Sequence, residues 1–133
     1  GDASALDGVD RALPAATRAN KLQARAARAG FDWSNWEELF AKVDEELGEL
    51  RRELAREGAA ERLEAETGDV LFACVGVARR LGVDPEAALR GANRRFEARF
   101  RHLEGRLAQR GVAVADTGPA ELLALWQEAK QQE

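Results

Sequence analysis

Apolar residues recur at intervals of three and four along most of this chain, the repeat of an α-helix rather than the alternation of a strand. Trp36, Phe40, Val43, Leu47, Leu50 and Leu54 form one such stripe. Leu63, Val70, Leu71, Cys74, Val77 and Leu81 form a second, and Leu89, Ala92, Phe96, Phe100, Leu103 and Leu107 a third. Each is expected to face a core. Proline and glycine punctuate the pattern. Pro14, Pro85 and Pro119 each stand where a helical pattern begins, a position that tolerates a missing N–H. Gly30, Gly58, Gly82 and Gly111 stand where one ends. Five helices are therefore predicted, over about Pro14–Ala29, Asn35–Arg56, Ala59–Leu81, Pro85–Arg110 and Pro119–Lys130. Ser34 with Glu37 reads as a capping box for the second, Asp84 as a cap for the fourth, and Thr117 as a cap for the fifth. Val112–Val114 gives the one hint of a strand and is too short to stand as an element. The expected fold is an all-α helical bundle with short connections.

Composition narrows the function classes. A chain of 133 residues fits one domain, and 45% hydrophobic with 33% charged residues is a globular balance. Acidic residues outnumber basic ones by 24 to 20, for a net charge of −4, which argues against a nucleic-acid-binding surface. No apolar run approaches the ~20 residues of a membrane span, and none resembles a signal-peptide core. A single cysteine, Cys74, excludes an intramolecular disulfide and a multi-cysteine zinc site, and sits in a stripe where it is expected to pack. A cytoplasmic protein is expected. Residues 1–12 read as a linker or flexible N-terminus preceding a domain over 13–133. With no methionine in the sequence, either an initiator was removed before Gly1 or this is a piece of a longer polypeptide, and the linker-like first dozen residues favour the second.

The candidate chemistry lies in carboxylates. Glu46 and Glu49 are three residues apart in the second helix, and Glu66 and Asp69 three apart in the third, so each pair projects from one face. Both pairs border an apolar stripe. If the two helices pack antiparallel, the pairs converge, and four like charges in one place call for a hard divalent cation, Mg²⁺ or Mn²⁺. Gly48 and Gly68 sit inside the pairs, and Ala73 and Gly76 continue the flank with small side chains that leave room for a ligand. A single acidic pair of this kind is also an ordinary solvated face, as Glu61 and Glu64 illustrate. A di-iron site is disfavoured because no Glu-x-x-His pair exists. On the fourth helix Arg95 and Arg99 are spaced to point together, either at phosphate oxygens or at Glu97 and Glu104 in surface ion pairs. Trp126 and Lys130 on the fifth helix can hold a nucleobase and a phosphate, or pack the helix onto the bundle.

Three segments carry a family resemblance: Lys42-Val43-Asp44-Glu45-Glu46-Leu47-Gly48-Glu49-Leu50, then Glu66-Thr67-Gly68-Asp69-Val70-Leu71-Phe72-Ala73, then Asn93-Arg94-Arg95-Phe96-Glu97-Ala98-Arg99-Phe100. They resemble the ExxE, spacer, ExxD pattern of the MazG nucleoside triphosphate pyrophosphohydrolases, here with sixteen residues, 50–65, between the pairs. The likeness runs from about Leu13 to Lys130 and is similar to the C-terminal domain of two-domain members. It implies an all-α, dimeric fold in which Glu46, Glu49, Glu66 and Asp69 hold Mg²⁺, with Mn²⁺ as a substitute. It implies cleavage of a nucleoside triphosphate to the monophosphate and pyrophosphate, a nucleotide-pool house-cleaning reaction. Arg95, Arg99, Trp126 and Lys130 are implied to bind the nucleotide, with Lys42 and Glu45 on the motif's flank. One of Glu45, Glu46 and Glu49 is expected to take the proton of the attacking water. Two positions depart from the family pattern: Ala65 stands where a glutamate is frequent, and Gly76 where an asparagine is common. Two other readings remain at this stage, a metal–nucleotide-binding regulatory module with little turnover and a helical dimerisation scaffold.

Overall fold

The computed structural model describes residues 3–133. Five α-helices follow in order: α1 (Ala15–Arg28), α2 (Trp36–Ala55), α3 (Ala60–Leu81), α4 (Pro85–Gln109) and α5 (Pro119–Gln131), with a 3₁₀ turn at Val114–Asp116. No strand occurs among the described residues, so the all-α expectation holds. Val112–Val114, which hinted at a strand, is a connection that enters the 3₁₀ turn at Val114. The contacts divide the chain into two compact units, one ending at Ala88 and one running from Leu89 to Glu133.

In the first unit α2 and α1 both pack on α3. The helix ends are set locally. Gly30, Gly82 and Gly111 all take positive φ just past a helix end, a backbone conformation strained for any residue with a side chain. Val83 N–H then reaches back to the Ala78 carbonyl, closing a Schellman turn. α2 ends differently. The left-handed position is held by Glu57, at φ 54°, and Gly58 N–H bonds the Glu53 carbonyl. Replacing Glu57 by glycine relieves that strain, and thermal melts are expected to show a gain of about 1 kcal/mol. Gly58→Ala is expected to do the reverse. Its new Cβ would overlap the buried Glu53 carboxylate, costing about 1–3 kcal/mol.

The caps and stripes need correction. The cap of α2 is Asn35, whose Oδ1 accepts from Glu38 N–H, while Ser34 N–H donates to Glu38 Oε2. The capping box therefore sits one residue later than Ser34 and Glu37. Thr117 donates its hydroxyl to the Ala113 carbonyl, and Gly118 precedes α5 without a side-chain cap. Asp84 does cap, accepting from Glu86 N–H. On α2 the buried positions are Leu39, Glu46 and Glu53, whereas Trp36, Phe40 and Leu54 are exposed. On α3 they are Ala73 and Gly76, with Leu71, Leu81 and Cys74 exposed. The physical reason is size. Small residues on α3 let α1 and α2 approach closely, so the large apolar side chains lie on the other face. In the second unit Leu103, Leu107 and Leu125 form the core, flanked by Phe100, Val114 and Leu122, while Leu89 and Phe96 are exposed.

Candidate metal centre

Carboxylate oxygens of Glu46, Glu66 and Asp69 lie within 4.8 Å of one another. α2 supplies the first and α3 the other two, so the packing of two helices brings the pairs together. Glu46 is only 9% exposed, and a buried carboxylate needs a partner. Lys42 Nζ is that partner, 2.8 Å away, and stands 3.7 Å from Glu45. The hydrogen bond to Glu46 holds the Lys42 ammonium charged above its ordinary range, with help from Glu45 and Asp69 and against partial burial. One lysine does not neutralise the group. Partial desolvation and the charges of Asp69, Glu49, Glu46 and Glu53 push the Glu66 carboxyl above its ordinary value. Glu49 itself turns to Arg52, at 2.6 Å, and stands outside the three clustered oxygens.

An all-oxygen donor set with unneutralised negative charge fits a hard divalent cation. The pH dependence follows from the raised Glu66 carboxyl. A carboxyl raised in the folded state favours folding below its unfolded value and loses that contribution as pH rises through its folded one. Metal-free protein is therefore expected to lose stability as pH climbs through the region just above 4.5, Glu66's ordinary value. Added Mg²⁺ is expected to raise the melting midpoint more at pH 8 than at pH 5.

Beside the carboxylates the first unit carries a cavity of about 670 Å³, lined by Gln23, Leu39, Lys42, Glu46, Asp69 and Gly76 among others. Ala73 and Gly76 reach its wall, as their small size led one to expect. A hydrogen-bonded turn at residues 4–7 is docked to α1 through Arg25, which donates to the Asp7 carbonyl at 2.8 Å, and Leu6 lines the cavity. The loop after α1 is pinned too. Asp32 accepts from Arg79 at 2.5 Å and lies 3.5 Å from Arg80, which donates to the Trp33 carbonyl. The Arg79 hydrogen bond holds the Asp32 carboxyl below its ordinary range, against partial burial. Sequence reasoning gave no site role to Gln23, Asp32, Arg79 or the buried Glu53. For Glu53 a signal existed: it stands seven residues after Glu46, which stands seven after Leu39.

The second unit holds the cations. Arg99 grips Glu133 through two hydrogen bonds, at 2.5 and 2.8 Å. That bond keeps the Glu133 carboxyl low, reinforced by the charges of Arg95 and Lys130 and opposed by partial desolvation. Three cations thus act on one carboxylate. Arg99 also lies over the Trp126 ring at 5.8 Å, and Phe96 packs on the same indole at 5.4 Å. The surface pairs of Arg99 with Glu97 or Glu104 are not formed; Arg101 takes Glu97.

The family model of the MazG nucleotide pyrophosphohydrolase domain matches residues 35–103, about half of the chain and the whole of α2 and α3. The chain belongs to the MazG family. It is 44% identical over 132 residues to the nucleoside triphosphate pyrophosphohydrolase of Escherichia coli K12, covering 98% of this chain and 50% of that one. It is 36% identical over 127 residues to the nucleoside triphosphate pyrophosphohydrolase/pyrophosphatase MazG of Thermotoga maritima, covering 96% and 48%. It is also 41% identical over 132 residues to the uncharacterized protein YabN of Bacillus subtilis, covering 99% and 27%. The chain thus spans about half the length, or less, of these curated relatives. The MazG match contains Glu46, Glu49, Glu66, Asp69, Arg95 and Arg99, but not Trp126 or Lys130. No helix among the described residues is long and apolar enough to cross a membrane.

Proposed function

We propose that this chain hydrolyses nucleoside triphosphates to the monophosphate and pyrophosphate with a divalent metal, Mg²⁺ or in its place Mn²⁺. The observation that carries the reading is the meeting of Glu46, Glu66 and Asp69 oxygens from two helices within 4.8 Å. Those three are assigned as metal ligands, with Glu49 as the fourth. When bound, the metal neutralises phosphate charge and acidifies a coordinated water. Water adds to the α-phosphorus, the bond from that phosphorus to the α–β bridging oxygen breaks, and pyrophosphate leaves. Glu45, exposed and 3.7 Å from Lys42, is assigned to take the water's proton, in preference to Glu46 and Glu49. Lys42 balances the cluster before substrate arrives and then serves phosphate. Arg95, Arg99 and Lys130 are assigned to phosphate oxygens, since together they already act on a carboxylate. Trp126 contributes by carrying Arg99 on its ring face.

The remaining parts of the proposal are a homodimer, a cytoplasmic location and a house-cleaning role on the nucleotide pool, with no nucleic-acid or membrane partner. The homodimer is supported by uncovered apolar side chains on α2 and α3, where Leu54 and Leu71 are 65% and 62% exposed. Sedimentation is expected to give twice the chain mass, and a monomer at all concentrations would refute that part. A panel of triphosphates incubated with Mg²⁺ tests the activity itself: pyrophosphate release is expected, and its absence from every triphosphate overturns the reading. A second reading, a metal–nucleotide sensor without turnover, is favoured by the pairing of Glu49 with Arg52. It would give binding and no pyrophosphate.

A further inference from the structure

The cavity beside the carboxylates has a mainly apolar wall, and four of its charged groups are paired with one another: Arg79 with Asp32, and Lys42 with Glu46. The fifth, Asp69, is assigned above to the metal. Gln23 is the neutral amide on that wall. Its Nε2 donates to the Phe72 carbonyl at 2.9 Å, crossing from α1 to α3. That bond fixes which way the amide faces: the nitrogen is anchored, and Oε1 is the free end. Oε1 rests on the bare backbone of Gly76, where an added Cβ would stand 3.0 Å from it. No donor among the described residues is bonded to Oε1. An acceptor on an apolar wall gains most from a ligand that brings its own N–H, and loses from one that sets a second acceptor against it. About 670 Å³ admits purines and pyrimidines alike, so size does not discriminate between them.

We infer that Gln23 is a specificity-determining residue that accepts a hydrogen bond from an exocyclic amino group of the nucleobase, with Gly76 keeping its amide in place. The site then prefers cytosine and adenine nucleotides over uracil and hypoxanthine ones, which carry an oxo group at the same position. This rests on the nucleotide reading proposed above, but it is tested by binding, not turnover.

The experiment is calorimetric titration of the full chain, with Mg²⁺ present, by CMP against UMP and by AMP against IMP. The parent is expected to bind each amino nucleotide at least about tenfold more tightly than its oxo counterpart. Gln23→Leu is expected to abolish that ratio by weakening CMP and AMP while UMP and IMP stay within about twofold. A merely structural tie between α1 and α3 would weaken both series equally. Gly76→Ala displaces the amide without removing it, and is expected to reduce the ratio in the same direction. Equal affinities in the parent, a preference that survives Gln23→Leu, or no binding of any monophosphate would each overturn the inference. Selective monophosphate binding, together with no pyrophosphate from any triphosphate of the panel above, would instead sustain it and overturn the assigned turnover.

Discussion

Asp69→Asn is expected to lower pyrophosphate release roughly a thousandfold while leaving the protein folded. The metal contributes several kcal/mol to such a transition state, and each 1.36 kcal/mol is a factor of about ten. The variant removes one negative carboxylate from a group of three whose oxygens lie within 4.8 Å. Stability should move the other way from activity. After desolvation, Asp69 contributes most to raising the Glu66 carboxyl, so its removal relieves repulsion in the metal-free protein. The melting midpoint without metal should hold or rise, and the gain on adding Mg²⁺ should largely vanish. A helical scaffold with only solubilising charges gives a different result, unchanged midpoints with and without Mg²⁺.

The second large effect is expected at Arg99. Arg99→Ala should reduce kcat/KM about a hundredfold, mostly through KM, because a bidentate guanidinium contact to phosphate is lost. Arg99→Lys restores the charge but not the fork and should recover only part of the loss. The Glu133 carboxylate now occupies both Nε and Nη2 of Arg99. Glu133→Gln should therefore lower KM, since the phosphate no longer displaces an anion. Saturation kinetics on Arg99→Ala and Glu133→Gln separate the cases: a KM unchanged in both removes Arg99 from the phosphate seat.

What the sequence disclosed is what depends on near neighbours. Gly30, Gly82 and Gly111 mark helix ends because a left-handed residue after a helix is a local requirement. The i, i+3 spacing of Glu66 and Asp69 puts both on one face for the same reason, and the packing of α2 on α3 adds Glu46. The buried side of α2 was harder to read. Trp36, Phe40 and Leu54 make the more apolar stripe, yet the covered line is Leu39, Glu46 and Glu53. Periodicity reports which face is apolar, not which face a neighbouring helix covers. Here α3 offers Ala73 and Gly76 and admits carboxylates beside them. Partners far apart in the chain were out of reach. Gln23 meets the Phe72 carbonyl 49 residues on, and Asp32 meets Arg79 47 residues on. Neither pairing leaves a spacing signal. Glu49 illustrates the limit within one helix: the spacing with Glu46 is right, but Arg52 three residues on competes for its carboxylate.

The central claim is that the Glu46, Glu66 and Asp69 carboxylates hold a divalent metal on which cleavage between the α and β phosphates depends. Phosphorus NMR of a nucleoside triphosphate incubated with the protein tests it most directly, with Mg²⁺ and again with excess EDTA. The expected result is monophosphate and pyrophosphate in equal amounts with Mg²⁺ and intact triphosphate with EDTA. Diphosphate and orthophosphate as products, or undiminished cleavage in EDTA, would contradict the account.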